Sequence, residues 1–223
     1  MKSLAHISRD MVHHHERAEK FRSTDDAAQI HYLPLSEQAG NPQAQTQATA
    51  PSREDVLNYL GHLADDYRLP PKLVYAVADA ESSVHPDIKR RPNYVTKNGK
   101  IVKDKNGNPR VDSWDYGLMQ INDKSRIGET VKDPEGHRFR IGEDIETDWK
   151  ANARAAVAIL AHEYGVAELE QGPGATAEDR AQQTYSAYTH SHRKRDFYLR
   201  QDRNGLPANR KDRNFLEAYR RWR

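Results

Sequence analysis

Two apolar stripes at helical spacing follow one another between Val56 and Val84, and one carboxylate falls on the second of them. In the first, Val56, Leu57, Leu60, Leu63, Ala64 and Tyr67 recur with a helical period behind Ser52, an N-cap with Asp55 three residues on. In the second, Pro70 and Pro71 stand where a helix can start, and Leu73, Val74, Val77, Ala78 and Val84 form its apolar face. Glu81 lies four residues beyond Val77 on that face. Apolar surroundings penalise a carboxylate, so a carboxyl group placed there has a raised pKa and becomes a candidate acid. The blander reading is a surface Glu near a helix C-terminus, where the helix dipole does not favour it.

After Pro86 the period changes. Asn98-Gly99 separates two short β-prone runs within Tyr94 to Val102, a strong hairpin signal, and a second turn follows at Asn106-Gly107. Helical spacing returns with Trp149, Ala153, Ala156, Val157, Leu160, Ala161 and Tyr164, and Gly165 is placed as the stop. Another helix is expected from Ala177 to Tyr188, and Phe215, Leu216, Tyr219 and Trp222 predict a short basic helix docked by its aromatic side. The pattern is mainly α with a small β-hairpin insertion.

Hydrophobic residues make up 36% and charged residues 30% of the 223, too polar for every segment to pack. Residues 1–50 carry no sustained apolar period and end in a Gln/Ala/Thr-rich stretch, so they are read as a flexible N-terminal segment and linker, with one domain over 51–223. From His190 to Arg223 eleven basic and four acidic residues give a basic C-terminal extension of net +7. Such a patch suits nucleic acid, an anionic membrane surface or an anionic polymer, and alone does not choose among them. The absence of cysteine excludes disulfides, thiolate zinc sites and a cysteine nucleophile. Residues 1 to 30 are broken throughout by charged residues and do not read as a secretory signal. No apolar run approaches the roughly 20 residues that span a bilayer, so no membrane insertion is expected.

Four blocks in order carry a resemblance: Ala80-Glu-Ser-Ser-Val-His-Pro86, Asp115-Tyr-Gly-Leu-Met-Gln-Ile-Asn122, Asn152-Ala-Arg-Ala-Ala156 and Ser186-Ala-Tyr-Thr189. Together they resemble the soluble-type lytic transglycosylases of the lysozyme-like superfamily. The second block looks most like specialised members that accompany secretion or conjugation machines or phage particles. The resemblance covers about residues 55 to 190. It implies a lysozyme-like α+β domain, with the hairpin insertion at the cleft rim, acting on peptidoglycan glycan strands without a cofactor.

The resemblance also implies roles. Glu81 matches the general acid that protonates the glycosidic oxygen, which agrees with its place on an apolar face, and Ser82 would line the sugar site beside it. Gly117 would let backbone approach the sugar, Gln120 would hydrogen-bond it and Met119 would give an apolar contact; Leu118 reads as core. Tyr188 matches the tyrosine whose hydroxyl holds the catalytic Glu. Asn152 to Ala156 matches a helix under the cleft, a structural role. Three departures stand out. Thr189 replaces the usual Asn, offering a hydroxyl where the family has an amide. The stretch between Pro86 and Asp115 is longer than in compact members. Ser83-Val84-His85 replaces the more usual aromatic-Asn before proline.

Other chemistry is weaker. Asp104 to Asp115 partly matches a calcium loop, yet Pro109 stands where glycine is needed and the last ligand is Asp. His162-Glu163 has Val166 where a zinc protease needs its second histidine, and His13, His14 and His15 are read as incidental, so no metal is assigned. His190 and His192 are expected at the surface. In the lytic mechanism implied by the resemblance, the N-acetylmuramic acid closes on itself to a 1,6-anhydro ring. A hydrolytic muramidase of the same fold is the alternative, with Asp112 and Asp115 as candidate second carboxylates. A non-catalytic wall-binding component of a secretion machine or phage particle is a third reading, and a nucleic-acid partner, resting on the tail alone, is set aside. Action in the periplasm or on the cell wall is expected, reached by a secretion machine, phage or holin, with a secretion machine or an immunity protein as candidate partners.

Overall fold

The computed structural model describes residues 50–87, 90–190, 198–202 and 204–222. The expected linker lies outside them apart from its last residue, as do His13, His14, His15 and His192.

Helix α1 (Arg53–Asp66) starts at Ser52, whose hydroxyl accepts from Asp55 N at 3.1 Å while Asp55 accepts from Ser52 N at 3.0 Å. This reciprocal cap satisfies two of the amides that a helix start leaves open. Helix α2 (Pro71–Ser82) begins on the proline pair and turns its predicted apolar stripe inward: Leu73, Val74, Val77 and Ala78 are wholly buried, and Glu81 is buried with them. Between α2 and the next helix lie strands β1 (Arg91–Tyr94), β2 (Thr96–Lys97), β3 (Lys100–Ile101), β4 (Val111–Tyr116) and β5 (Ile121–Asn122). β1, β4 and β5 form an antiparallel sheet in the order β1-β4-β5, and β2 pairs with β3 across Asn98-Gly99, both at positive φ as a tight hairpin turn requires. In the following turn Asp104 Oδ1 accepts from the backbone of Asn106 and Asn108 at 2.8 and 2.9 Å. That carboxylate therefore serves its own loop, as a turn Asp does.

A short helix α3 (Asp123–Arg126) leads into a second hairpin, β6 (Thr130–Lys132) with β7 (Arg138–Arg140). This hairpin was not expected from the sequence, because strands of three residues offer too little alternation to register. After a 3₁₀ turn at Glu143–Glu146, helix α4 (Trp149–Gln171) forms the centre of the core, with Ala155 to Leu160 all buried. It does not stop at Gly165, as expected, but at Gly172, whose φ is 70°. A glycine inside a helix costs only about 1 kcal/mol against Ala, and α4 packs along α5 (Ala177–His190).

The C-terminal helix α6 (Arg210–Arg221) docks on α2 and α5 through Phe215, Leu216, Ala218 and Tyr219, all buried. Its charges are partly committed within the fold: Arg220 makes a bidentate pair with Glu178, and Arg221 meets Asp79 at 2.9 Å. Among the described residues no helix is long and apolar enough to cross a membrane.

Candidate active site

Glu81 sits in the last turn of α2 and is only 5% exposed. Burial pushes its carboxyl above the usual carboxylate range. Lys211 opposes this most strongly, followed by a hydrogen bond from Tyr185; Asp115 reinforces the rise and Arg91 counters it. The Tyr185 hydroxyl donates to Glu81 Oε1 at 2.7 Å. Burial, then the charge of Glu81, raises that phenol well above its ordinary value, so it stays a neutral donor. Its ring stacks on Phe215 of α6, with centroids 4.3 Å apart and planes 8° from parallel.

The helix end behind Glu81 is tightly built. Ser82 Oγ donates to Ala78 O at 3.0 Å and accepts from His85 N at 3.3 Å, so its hydroxyl closes the helix end. Ser83 and Val84 follow at φ 57° and 61°. A β-branched residue rarely adopts this conformation; here Val84 is held in it by burial at 1% exposure. The departure at Ser83-Val84-His85 thus places a core valine under the site.

The second block forms the turn between β4 and β5. Asn152 of α4, wholly buried, donates to Tyr116 O at 2.8 Å and Ile145 O at 3.2 Å and accepts from Met119 N at 2.8 Å. Gly117 has φ 68°, and a Cβ there would stand 2.6 Å from Asn152 Nδ2. Its missing side chain makes room for Asn152, whereas the resemblance implies room for the sugar. Met119 is wholly buried beside Leu118, so its side chain is core and does not offer the expected apolar contact. Gln120, at φ 50°, donates from Nε2 to Gly117 O at 2.8 Å and leaves its buried Oε1 without a partner. A buried acceptor left open in a strained turn is a feature of functional sites.

Tyr188 does not hold Glu81. Its hydroxyl donates to Met119 O at 2.7 Å and fastens the turn, while Tyr185, one turn earlier on the same helix face, makes the bond assigned to it. Thr189 Oγ1 donates to Tyr185 O at 3.0 Å, within its own helix. His190 is not a surface residue: its side chain is 14% exposed and lies 3.4 Å from the buried Asp212 of α6.

The two candidate second carboxylates part company. Asp112 is exposed and paired with Lys124 at 2.6 Å. Asp115 is 9% exposed, accepts from Asn122 Nδ2 at 2.8 Å, lies 3.9 Å from Lys211 Nζ and acts on the charge of Glu81. Among the described residues, Asp133, Glu135 and His137 are the one group of three or more His, Asp or Glu side chains whose candidate ligand atoms all lie within 4.8 Å of one another. They form the β6–β7 turn, where Asp133 Oδ1 accepts from His137 N at 2.7 Å.

A buried acid that accepts a hydrogen bond from a tyrosine hydroxyl is suited to protonating a leaving oxygen, and the pinned glycine turn carries an open amide oxygen at Gln120. No curated protein and no solved structure matches the chain. The family model of the Transglycosylase SLT domain matches residues 58–209, a span that runs from α1 past α5 and includes Glu81, the glycine turn, Asn152 and Tyr185. The chain belongs to this family of glycan-cleaving transglycosylases, within the lysozyme-like superfamily.

Proposed function

We propose that this chain is a peptidoglycan lytic transglycosylase that cleaves the β-1,4 bond from N-acetylmuramic acid to N-acetylglucosamine and leaves a 1,6-anhydro-N-acetylmuramic acid end. The observation that carries the reading is Glu81, buried, raised in pKa and holding the Tyr185 hydroxyl at 2.7 Å. Protonated Glu81 gives its proton to the glycosidic oxygen as the bond to the anomeric carbon breaks. The N-acetyl oxygen of the muramic acid supports the electron-poor carbon. Its C6 hydroxyl then attacks that carbon and returns a proton to the Glu81 carboxylate, so no water is consumed. Tyr185, Lys211 and Arg91 favour the carboxylate that exists between the two transfers. Gln120 Oε1 is free to accept from a sugar hydroxyl or amide. The substrate sets the place of action, the periplasm or the cell wall.

Asp115 favours a second reading, in which a water is delivered to the anomeric carbon and the enzyme is a muramidase. Glu81→Gln separates both from a non-catalytic wall binder. It keeps the shape and removes the transferable proton, and a loss of about 10²–10⁴-fold or more in glycan cleavage is expected. Mass spectrometry of the wild-type products then decides the chemistry, because hydrolysis adds a water and leaves a reducing end. Full activity in the glutamine variant sinks the assignment of Glu81.

A further inference from the structure

Helix α6 begins one residue after the family match ends, so the resemblance assigns it nothing. Its first turn is fixed by Asn209, whose side chain accepts from Lys211 N at 2.8 Å. Four residues on, Phe215 shares a helix face with Lys211 and stacks on the tyrosine that holds Glu81. Lys211 Nζ lies 3.9 Å from Asp115 Oδ2, while the other oxygen of that buried carboxylate is held by Asn122.

We propose that Lys211 is a positioning residue of the active site, its ammonium group holding Asp115 and facing the Glu81 carboxylate as that group gives up and regains its proton. This rests on Glu81 being the acid. Among the described residues, the groups whose charge or dipole acts on the Glu81–Tyr185 pair include Arg91 from β1, Asp115 from β4, Tyr188 from α5, and Lys211 and Asp212 from α6. Without the lysine, Asp115 loses the ammonium group 3.9 Å from it, and its negative charge bears more strongly on Glu81. Glu81 then ionises less readily, proton donation slows, and the alkaline limb of the rate profile, set by loss of that proton, moves to higher pH.

The test compares wild type, Lys211→Met, Lys211→Arg and Glu81→Gln. Carbon-13 NMR of the side-chain carboxyls, with Glu81 assigned by its absence in the glutamine variant, follows the titration directly. The pH profile of kcat/KM on purified peptidoglycan follows its consequence. Lys211→Met is expected to move both to higher pH and to lower kcat near neutrality roughly three- to tenfold, with KM little changed, and Lys211→Arg to restore them. An unmoved Glu81 titration in Lys211→Met, or an arginine variant as impaired as the methionine one, overturns the proposal. A wild type that folds but cuts no glycan overturns the function proposed above, while the NMR titration still decides whether Lys211 faces Glu81.

Discussion

Tyr185 donates its hydroxyl to Glu81 Oε1 at 2.7 Å across 104 residues of sequence. The bond joins α5 to the end of α2, and Phe215 stacked on the same ring joins both to α6. Three helices therefore meet at one carboxyl group, and the geometry of the acid depends on a helix that follows the matched domain.

Exchanging each tyrosine for phenylalanine separates two roles that look alike in sequence. Tyr185→Phe keeps the stack on Phe215 and removes a hydrogen bond that favours the carboxylate, so the titration of Glu81 moves further up and glycan cleavage falls. A hydrogen bond to a charged group is worth about 1.5–3 kcal/mol, or roughly 10- to 100-fold in rate if it acts fully at the transition state. Tyr188→Phe instead leaves the buried Met119 carbonyl without its partner, at a cost of about 1–3 kcal/mol. Its melting temperature should fall while the alkaline limb stays in place. The reverse outcome, with the limb moving only in Tyr188→Phe, would give the Glu81 contact to the residue expected from sequence.

The Asn152 side chain pins the glycine turn through two bonds and ties it to the 3₁₀ turn at Ile145 through a third, so Asn152→Ala should destabilise the fold by several kcal/mol, each about 2–4 °C in a domain of this size. Gly117→Ala should also destabilise, because the new methyl group collides with Asn152 and the backbone lies at positive φ. Thermal melts of both variants check this. A wild-type melting temperature in Gly117→Ala would show that the turn can move away from Asn152.

The parts of the fold readable in the sequence were those with a sustained period. The stripe from Leu73 to Ala78 announced α2 and put Glu81 on its buried face, although Val84, expected on the same stripe, lies past the helix end at φ 61°; Ser52 with Asp55 announced the start of α1. The hairpin at Asn98-Gly99 was legible because only certain residues take up its turn. Other features were not, for physical reasons. Tyr185 and Tyr188 lie on one helix face three residues apart, and which of them reaches Glu81 depends on how α5 is set against α2. Gly117 and Met119 matched the motif, but their neighbours are the Asn152 amide and the core, contacts made over more than 30 residues. Lys211 stands in a run of basic residues with nothing in its spacing to mark it, and it joins the site because Phe215 anchors its helix.

Burial of Glu81 gives a pH-dependent stability with a definite sign. Its folded pKa is raised, so the folded state binds the proton more tightly than the unfolded chain. The stability it contributes is fully present below the ordinary glutamate value and is lost as pH rises through the folded pKa. Glu81→Gln removes this dependence while its amide oxygen can still accept from Tyr185. The two proteins should melt alike at acid pH, and the glutamine variant should gain on wild type as pH rises. Melting curves at several pH values measure the difference. A constant offset would show that Glu81 is solvated in solution.

We propose that residues 1–50 form a separable N-terminal segment and that a protein beginning at Pro51 folds and cleaves glycan as the full chain does. The start of α1 contains its own stop signal toward the N-terminus: Ser52 and Asp55 satisfy each other's backbone amides, so nothing upstream is needed to cap the helix. The first core side chain, Val56, is wholly buried, whereas Ala50 is exposed. The stretch from 40 to 50 is rich in Gln, Ala and Thr and supplies little to bury. Glu81, Gln120, Tyr185 and Lys211 all lie on elements downstream. Equal melting temperatures and equal turnover of purified peptidoglycan are the expected result for the truncated and full-length proteins. Loss of folding would show that the earlier segment packs on this domain, and loss of activity with folding intact would show that it contributes to substrate capture.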